Sequence, residues 1–360
     1  MKNISLFLIV FCISIKTVYA QPPIASGADQ NRLSRKPPVI GEISTNPGVH
    51  DPVMAKEGDT FYVYYTGGGC WSSKDLISWK RERPIFDTSN TPEWLKAAGF
   101  SRPGYWAPDI SFFNGQWYLY YAVSAFGKNT SVIGVATNET LNPSSPNYKW
   151  VDKGKVVQTY AVKTNWNAID PNMVIDKKTG NPWLVYGSFW HGIQLVKLQK
   201  DGFRLANLDD SLLEHTVASR KNYADSNTTT AGENAIEAPF IFYKDKYYYL
   251  FVSFDYCCKG PKSNYKIAVG RSKKITGPYT DKNGVAMSAG GGSILLEGDG
   301  KQFYGLGHNA TYTFGNTDYL VYHGYSVGQN AASKLVIEKL NWDKAGWPVI
   351  GDRVTPEIKQ

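Results

Sequence analysis

The sequence predicts an all-β fold, specifically a five-bladed β-propeller. Three observations support this: a short aromatic strand pattern recurs five times, a turn precedes each copy, and no convincing amphipathic helix separates the copies. With 34 Gly and 19 Pro in 360 residues, the chain is rich in the residues that separate short strands. An apolar share of 42% and a charged share of 19% are typical of a globular protein and exclude a disordered one.

The recurring pattern is an apolar, aromatic-rich strand that ends in small residues. Its five copies are residues 61–67, 117–124, 183–188, 248–253 and 319–324. Gly, Asn or Asp stands in a turn before each copy, so each unit is expected to begin with a hairpin of two buried strands. A later strand would complete each sheet. Five such sheets bury one another's faces when they pack radially, and a β-sandwich explains the regular spacing less well.

The first 20 residues predict a targeting segment. Lys2 supplies a positive charge, residues 4–15 form an apolar run, and residues 18–20 place small or apolar side chains where a signal peptidase reads them. An uncleaved anchor is a weaker alternative because the run is short for a membrane span. The expected organisation is a signal peptide (1–20), an N-terminal extension (21–45) and the propeller domain (46–360). The mature protein would be secreted or periplasmic, with no membrane span after signal cleavage.

Charge and cysteine content exclude several classes of protein. The net charge is +8, and removal of residues 1–20 with their two lysines leaves 37 − 31 = +6. The basic residues are scattered, so no nucleic-acid partner is expected. The mature chain keeps Cys70, Cys257 and Cys258, and the adjacent pair could form a disulfide in an oxidising compartment. Structural zinc is not expected, because the cysteines lack the usual spacing and histidine neighbours.

Each repeated unit opens with a polar residue beside small, apolar or proline residues. These polar residues are Asp51, Asp109, Asp170, Glu237 and His308. The innermost strands of a propeller converge on its axis, so all five are expected around one mouth. A carboxylate among apolar strands is unfavourable unless it is paired, bound to metal or exposed in a pocket. A turn-capping role would explain one or two of them, whereas five repeats favour a shared site.

Carboxylates around a pocket, together with many Trp and Tyr residues, favour glycoside hydrolysis. That reaction needs one carboxylic acid to protonate the leaving oxygen and a second carboxylate to activate water or attack carbon. The sequence contains no P-loop, GxGxxG, GxSxG or HExxH motif, which argues against several other enzyme classes.

The segments that open the five repeated units, together with their neighbouring residues, resemble the arabinanases of glycoside hydrolase family 43. The matching segments are His50-Asp51-Pro52, residues 105–109, 167–171, 187–190 and 236–240, and Gly307-His308-Asn309. The resemblance covers nearly all of the mature chain and implies a five-bladed propeller that inverts the anomeric configuration. It implies that Asp51 is the general base, that Glu237 is the general acid, and that Asp170 tunes and orients the acid. It further implies that His308 binds an axial ion, usually calcium, with waters completing the shell.

The same resemblance suggests contacts to the sugar. Trp106 and Phe126 match aromatic positions that flank the scissile bond, where stacking would orient the substrate. The remaining candidate contacts at the mouth are Asn167, Ser188, Phe189, Trp190 and the backbone near Gly134. For Phe189 a purely structural role in the core is a close alternative.

The implied substrate is α-1,5-linked arabinan or an arabino-oligosaccharide, cleaved by a monomer. Aromatic rings on both sides of the cleavage point favour endo action. A polar insertion at residues 203–234 could wall the cleft and would favour exo action. An exo-acting arabinanase, an α-L-arabinofuranosidase or a β-xylosidase could share the same three acids. A non-catalytic sugar-binding propeller and a protein-interaction propeller are alternatives from other classes, and the complete set of carboxylates argues against both.

Overall fold

The structure is a computed structural model, and it describes residues 39–86, 90–161, 163–207, 215–221 and 234–358. The expected signal peptide lies outside the described residues, as does the N-terminal extension through residue 38. Most of the insertion expected at 203–234 also lies outside them.

The described chain folds into five antiparallel sheets arranged as a propeller, which confirms the predicted fold class. The strands are β1 (Ile43–Ser44), β2 (Val53–Glu57), β3 (Thr60–Tyr65), β4 (Gly69–Ser73), β5 (Trp79–Arg81), β6 (Tyr105–Phe113), β7 (Gln116–Val123), β8 (Val132–Asn138), β9 (Val151–Gln158), β10 (Asn172–Ile175), β11 (Pro182–Tyr186), β12 (Ile193–Lys197), β13 (His215–Ala218), β14 (Ile236–Lys244), β15 (Tyr247–Phe254), β16 (Lys266–Ser272), β17 (Ser293–Glu297), β18 (Phe303–Phe314), β19 (Thr317–Ser326), β20 (Ala332–Trp342) and β21 (Pro348–Arg353). Each blade takes its strands consecutively from the chain. Blade 1 has the order β1-β5-β4-β3-β2, and the other blades are β6–β9, β10–β13, β14–β17 and β18–β21.

One short helix departs from the expectation that no helix lies between the repeated units. Helix α1 (Glu93–Ala97) connects blades 1 and 2 and buries Leu95. Within the described ranges, single 3₁₀ turns lie at Gly260–Lys262, Met287–Ala289 and Val327–Gln329. Across the described residues, no helix has the length and apolar character needed to cross a membrane.

The five hairpins form at the turns that the sequence predicts. In the turn between β6 and β7, Asn114 and Gly115 both have positive φ values, of 47° and 77°. Asp245 and Lys246, between β14 and β15, share this conformation with φ values of 44° and 79°. Two consecutive left-handed residues match the right-handed twist of the flanking strands and so fix the register of each hairpin.

The innermost strands β2, β6, β10, β14 and β18 contact one another in cyclic order around the axis. The ring closes between blades 5 and 1, where residues 47–49 run beside β20. Val49 N–H donates to the Ser333 carbonyl (3.3 Å) and Leu335 N–H donates to the Pro47 carbonyl (3.1 Å). Because none of the described strands exchanges between blades, the seam depends on this short pairing and on packed side chains.

Candidate active site

The residues that begin the innermost strands line a cavity of about 380 Å³ at one end of the propeller. Its polar side chains include His50, Asp51, Asp170, Glu237 and His308. Three carboxylates therefore converge from blades 1, 3 and 4, together with a histidine from blade 5. This is the shared mouth that the repeated openings predict.

Each blade has one residue in the left-handed region either just before or within its innermost strand. These residues are Asp51 (φ 53°), Ala107 (40°), Asp170 (56°), Ala238 (54°) and His308 (51°). The next residue is proline in the first four blades. Such a conformation costs a non-glycine residue about 1–3 kcal/mol and persists only where the surroundings enforce it. Its recurrence in all five blades defines the structurally equivalent position at the mouth.

In blade 2 the equivalent position is occupied by Ala107, so the prediction that Asp109 lies at the mouth is wrong. Asp109 lies two residues beyond Ala107, and its buried carboxylate accepts hydrogen bonds from Asn172 Nδ2 (3.0 Å) and Met173 N–H (2.9 Å). Burial raises the pKa of Asp109 to about 6. It borders a second cavity that the active-site residues do not line. Spacing alone could not reveal a register difference of two residues, so Asp109 belongs to the contact between blades 2 and 3.

Asp51 is held by three side chains and is 8% exposed. His50 Nδ1 lies 2.8 Å from Oδ2, His308 Nδ1 lies 2.9 Å from Oδ1, and Thr66 Oγ1 donates to Oδ2. Burial disfavours the charged form of Asp51, but attraction to His50 and His308 outweighs it and holds the pKa well below its ordinary value. Asp51 is therefore an ionised carboxylate suited to accept a proton.

Glu237 and Asp170 are also buried, but their pKa values are raised, in contrast to that of Asp51. Burial raises the pKa of Glu237, although Ser188 Oγ donates a hydrogen bond to Oε2 (2.8 Å) and partly offsets this. Burial also raises the pKa of Asp170 to about 8, with repulsion from Glu237 and Asp51 acting in the same direction and attraction to His308 against it. Ala238 N–H donates to Asp170 Oδ2 at 3.1 Å and fixes its position. Two such carboxyls titrate together, and the pair retains a proton at neutral pH.

Three further groups lie behind Asp51 that sequence reasoning did not assign. The His50 ring stacks on His323 with centroids 4.1 Å apart, and Asp51 N–H donates to His323 Nδ1 at 3.1 Å. Burial lowers the pKa of His323 well below its ordinary value, so this ring is neutral. Tyr325 Oη lies 2.8 Å from His50 Nε2. His50 could have been suspected because it precedes Asp51, but His323 and Tyr325 reach the site only through the pairing of β18 with β19.

His308 is the residue that the resemblance predicts to bind calcium. Burial lowers its proton affinity, but attraction to Asp51, Asp170 and Glu237 outweighs this and raises the pKa of His308 to about 9. Its Nδ1 contacts Asp51, whereas Nε2 makes no hydrogen bond to a described residue. Within the described ranges, neither cluster of three potential ligand atoms includes His308. The three carboxyls favour positive charge at this position, which either a second proton on the His308 ring or a bound cation supplies. An ion at Nε2 would require the neutral form of His308, with water oxygens in its other positions.

Six of the seven predicted substrate residues line the cavity. They are Trp106, Phe126, Asn167, Ser188, Phe189 and Trp190. Phe126 is 80% exposed, which leaves its ring free to stack on a ligand. Phe189 and Trp190 both have positive φ values, and Phe189 N–H donates to the Ile236 carbonyl at 2.8 Å. This hydrogen bond ties the loop to the residue before Glu237.

Gly134 is the exception, because it is not among the residues that line this cavity. It lies in β8, the third strand of blade 2, beneath Trp94 and Tyr121. An added Cβ would approach both aromatic side chains to 2.8 Å, so glycine is needed for packing. The Trp94 ring of helix α1 therefore packs directly on this position of β8.

Comparison with known proteins agrees with this geometry. The family model described as glycosyl hydrolases family 43 matches residues 45–348. The chain is 47% identical to the extracellular exo-alpha-(1->5)-L-arabinofuranosidase ArbA of Cellvibrio japonicus, over 85% of this chain and 87% of that protein. It is 41% identical to the extracellular endo-alpha-(1->5)-L-arabinanase 1 of Bacillus subtilis, over 85% and 88%. An exo-1,5-alpha-L-arabinanase structure from a bovine ruminal metagenomic library superposes with a TM-score of 0.78 at 52% identity, covering 86% of this chain and 98% of that one. The chain therefore belongs to glycosyl hydrolases family 43.

Proposed function

We propose that this protein hydrolyses α-1,5-linked L-arabinan with inversion of the anomeric configuration. The observation that carries the proposal is the convergence of Asp51, Asp170 and Glu237 in one cavity, with the pKa of Asp51 lowered and the pKa values of the other two raised. An acid and a base with opposite protonation states are what a single-displacement glycosidase needs. The names of the relatives supply the substrate class.

In this mechanism Asp51 and Glu237 act from opposite sides of the scissile bond. Asp51 accepts a proton from water as the water oxygen bonds to the anomeric carbon. Glu237 donates its proton to the glycosidic oxygen as the carbon–oxygen bond breaks, and the sugar chain leaves as an alcohol. The reaction leaves Asp51 protonated and Glu237 ionised, and proton exchange with solvent restores both. Burial and repulsion from Asp51 favour the protonated form of Glu237 before the reaction, and Asp170 is the neighbouring carboxyl that shares a proton with it.

Asp51→Asn and Glu237→Gln test the two catalytic roles. Each should reduce kcat on linear arabinan by about 10²–10⁴-fold while leaving the far-UV circular dichroism spectrum unchanged. Asp59→Asn, which changes a surface carboxylate, is the matched control and should retain full activity. Proton NMR of the first product should show the inverted anomer, and a retained anomer would contradict the mechanism.

We further propose exo action, with release of short products from a chain end. A relative and a solved structure named as exo-acting are 47% and 52% identical to the chain, against 41% and 44% for a relative and a solved structure named as endo enzymes. The endo action expected from the sequence remains the second candidate, because Trp106 and the exposed Phe126 both line the cavity. Exo action predicts that viscosity falls in step with new reducing ends and that one product size dominates early. A rapid loss of viscosity with products of many lengths would support endo action.

Calcium at His308 is part of the proposal. His308 would hold the ion through Nε2, with Asp51, Asp170 and Glu237 around it supplying negative charge. Bound there, calcium would supply fixed positive charge beside the reacting carboxylates. Elemental analysis after dialysis against calcium should find one ion per chain, and chelation should lower the Tm. His308→Ala should abolish both results, and a wild-type protein without bound ion would leave His308 solely as a partner of Asp51.

The protein is proposed to be secreted or periplasmic. Residues 1–20 resemble a signal peptide, and two relatives carry the word extracellular in their names. N-terminal sequencing of the exported protein should begin at Gln21.

A further inference from the structure

The wall of the cavity carries a disulfide between the adjacent residues Cys257 and Cys258, as the sequence allowed. Cys258 has a φ of 63°, and its N–H donates to Tyr325 Oη at 3.0 Å. Its Sγ lies 3.6 Å from His50 Nε2. The disulfide thus contacts the group of side chains that lies behind Asp51, and a role in the reaction can be argued from the hydrogen bonds that connect them.

The direction of each hydrogen bond follows from the backbone N–H groups of Asp51 and Cys258, which can only donate. Asp51 N–H donates to His323 Nδ1, so the neutral His323 carries its proton on Nε2 and donates to Tyr325 Oη (3.2 Å). Cys258 N–H also donates to Tyr325 Oη. With both lone pairs of that oxygen occupied, the tyrosine O–H can donate to His50 Nε2 at 2.8 Å or to Cys258 Sγ at 3.7 Å, and the shorter contact to the stronger acceptor assigns it to His50.

The tautomer of His50 follows from this assignment. Because Nε2 of His50 accepts from Tyr325, Nδ1 carries the proton and donates to Asp51 Oδ2 at 2.8 Å. A neutral imidazole with the other tautomer would present a lone pair to the carboxylate and repel it. The orientation of His50, and with it that of Asp51, therefore depends on the N–H of Cys258.

We propose that the Cys257–Cys258 disulfide is a positioning element for Asp51 in the hydrolysis reaction. Closing the ring between adjacent cysteines restricts the backbone of both residues and holds the Cys258 N–H on Tyr325. The proposal rests on the assignment of Asp51 as the base. It predicts that loss of the disulfide lowers kcat and leaves KM unchanged, because the affected group acts on the reacting water. A disulfide that merely forms a wall for the sugar would change KM.

Reduction with a phosphine tests this directly. The phosphine donates two electrons, takes oxygen from water and converts the disulfide to two thiols, which mass spectrometry detects as a gain of two hydrogens. Reduction should lower kcat on linear arabinan by about 3- to 10-fold, the effect of losing one neutral hydrogen bond. The Cys257→Ala, Cys258→Ala double variant should show the lower kcat from the start and should not respond to phosphine. Cys70 is buried and present in both proteins, so it serves as an internal control.

A double-mutant cycle separates positioning from a general loss of structure. Tyr325→Phe removes the hydroxyl that relays the Cys258 N–H to His50, so its effect on kcat should not add to that of the double cysteine variant. Additive effects, a change in KM alone, or full activity after verified reduction would each overturn the proposal.

A spectroscopic readout keeps the test independent of the reaction. The chain contains five histidines, and ¹⁵N labelling should report a proton on Nδ1 of His50 in the oxidised protein. The cysteine variant should show a mixture of tautomers, and an unchanged His50 tautomer would overturn the proposal. Inactivity of the wild-type protein on arabinan would refute the proposed function instead, with the tautomer result still interpretable.

Discussion

At the scale of single residues, different neighbours shift the pKa values of Asp51 and Glu237 in opposite directions. Asp51 contacts two imidazoles and a hydroxyl, whereas Glu237 accepts hydrogen bonds from neutral donors, and its charged neighbours His308 and Asp51 act on its pKa in opposite directions. Both are buried, so burial alone would raise the pKa of both. The histidines reverse the result at Asp51, and their presence decides which carboxyl serves as the base.

Ser188→Ala should move the alkaline limb of the pH–kcat profile to higher pH. The Ser188 hydroxyl donates to Glu237 and stabilises its ionised form, so the hydrogen bond lowers the pKa of this carboxyl. Removing it raises the pKa further, and the general acid stays protonated to a higher pH. Initial rates at saturating arabinan between pH 5 and pH 10 would measure this. A shift to lower pH would show that Ser188 does not stabilise the carboxylate.

At the scale of strands and turns, the sequence predicts local features better than pairings between distant segments. The hairpin at Asn114 and Gly115 could be predicted because the two residues themselves favour positive φ. The prediction for Asp109 fails because the left-handed residue of its blade is Ala107, and an alanine gives no sequence signal for a positive φ. The resemblance predicts a sugar contact near Gly134, but it gives no information on the Trp94 and Tyr121 side chains that pack on this glycine.

Gly134→Ala should destabilise the protein and leave substrate affinity unchanged. The new methyl group would clash with Trp94 and Tyr121 in a closely packed sheet, and overpacking of this kind costs about 1–3 kcal/mol. Urea unfolding should report the loss, and KM for linear arabinan should equal that of the wild type.

Gly48→Ala is the matched control for this substitution. Its added Cβ would lie 3.8 Å from the Ser333 carbonyl, which is an ordinary contact, and the position does not require a positive φ. It should therefore unfold at nearly the wild-type urea concentration. A raised KM in Gly134→Ala with unchanged stability would return Gly134 to the substrate site.

At the scale of the whole molecule, five sheets support one another around a closed ring. The seam between blades 5 and 1 buries Leu335 and Ile337 against Val49, Met54 and Trp71. Each blade buries part of its surface only through its neighbours, so no blade is expected to remain folded once the seam opens. The active site depends on the same closure, since Asp51 comes from blade 1 and His308 from blade 5.

Leu335→Ala should therefore shift a single unfolding transition of the described propeller. The leucine is 2% exposed at the seam, and truncating such a side chain costs about 2–5 kcal/mol in the free energy of unfolding. Tryptophan fluorescence and far-UV circular dichroism should give coincident urea curves, both moved to lower urea. Val349→Ala, an exposed position in β21, is the control and should change stability by less than about 0.5 kcal/mol. A fluorescence transition that precedes the loss of sheet signal would show that the blades at the seam unfold separately, and that ring closure does not hold the five sheets in one cooperative unit.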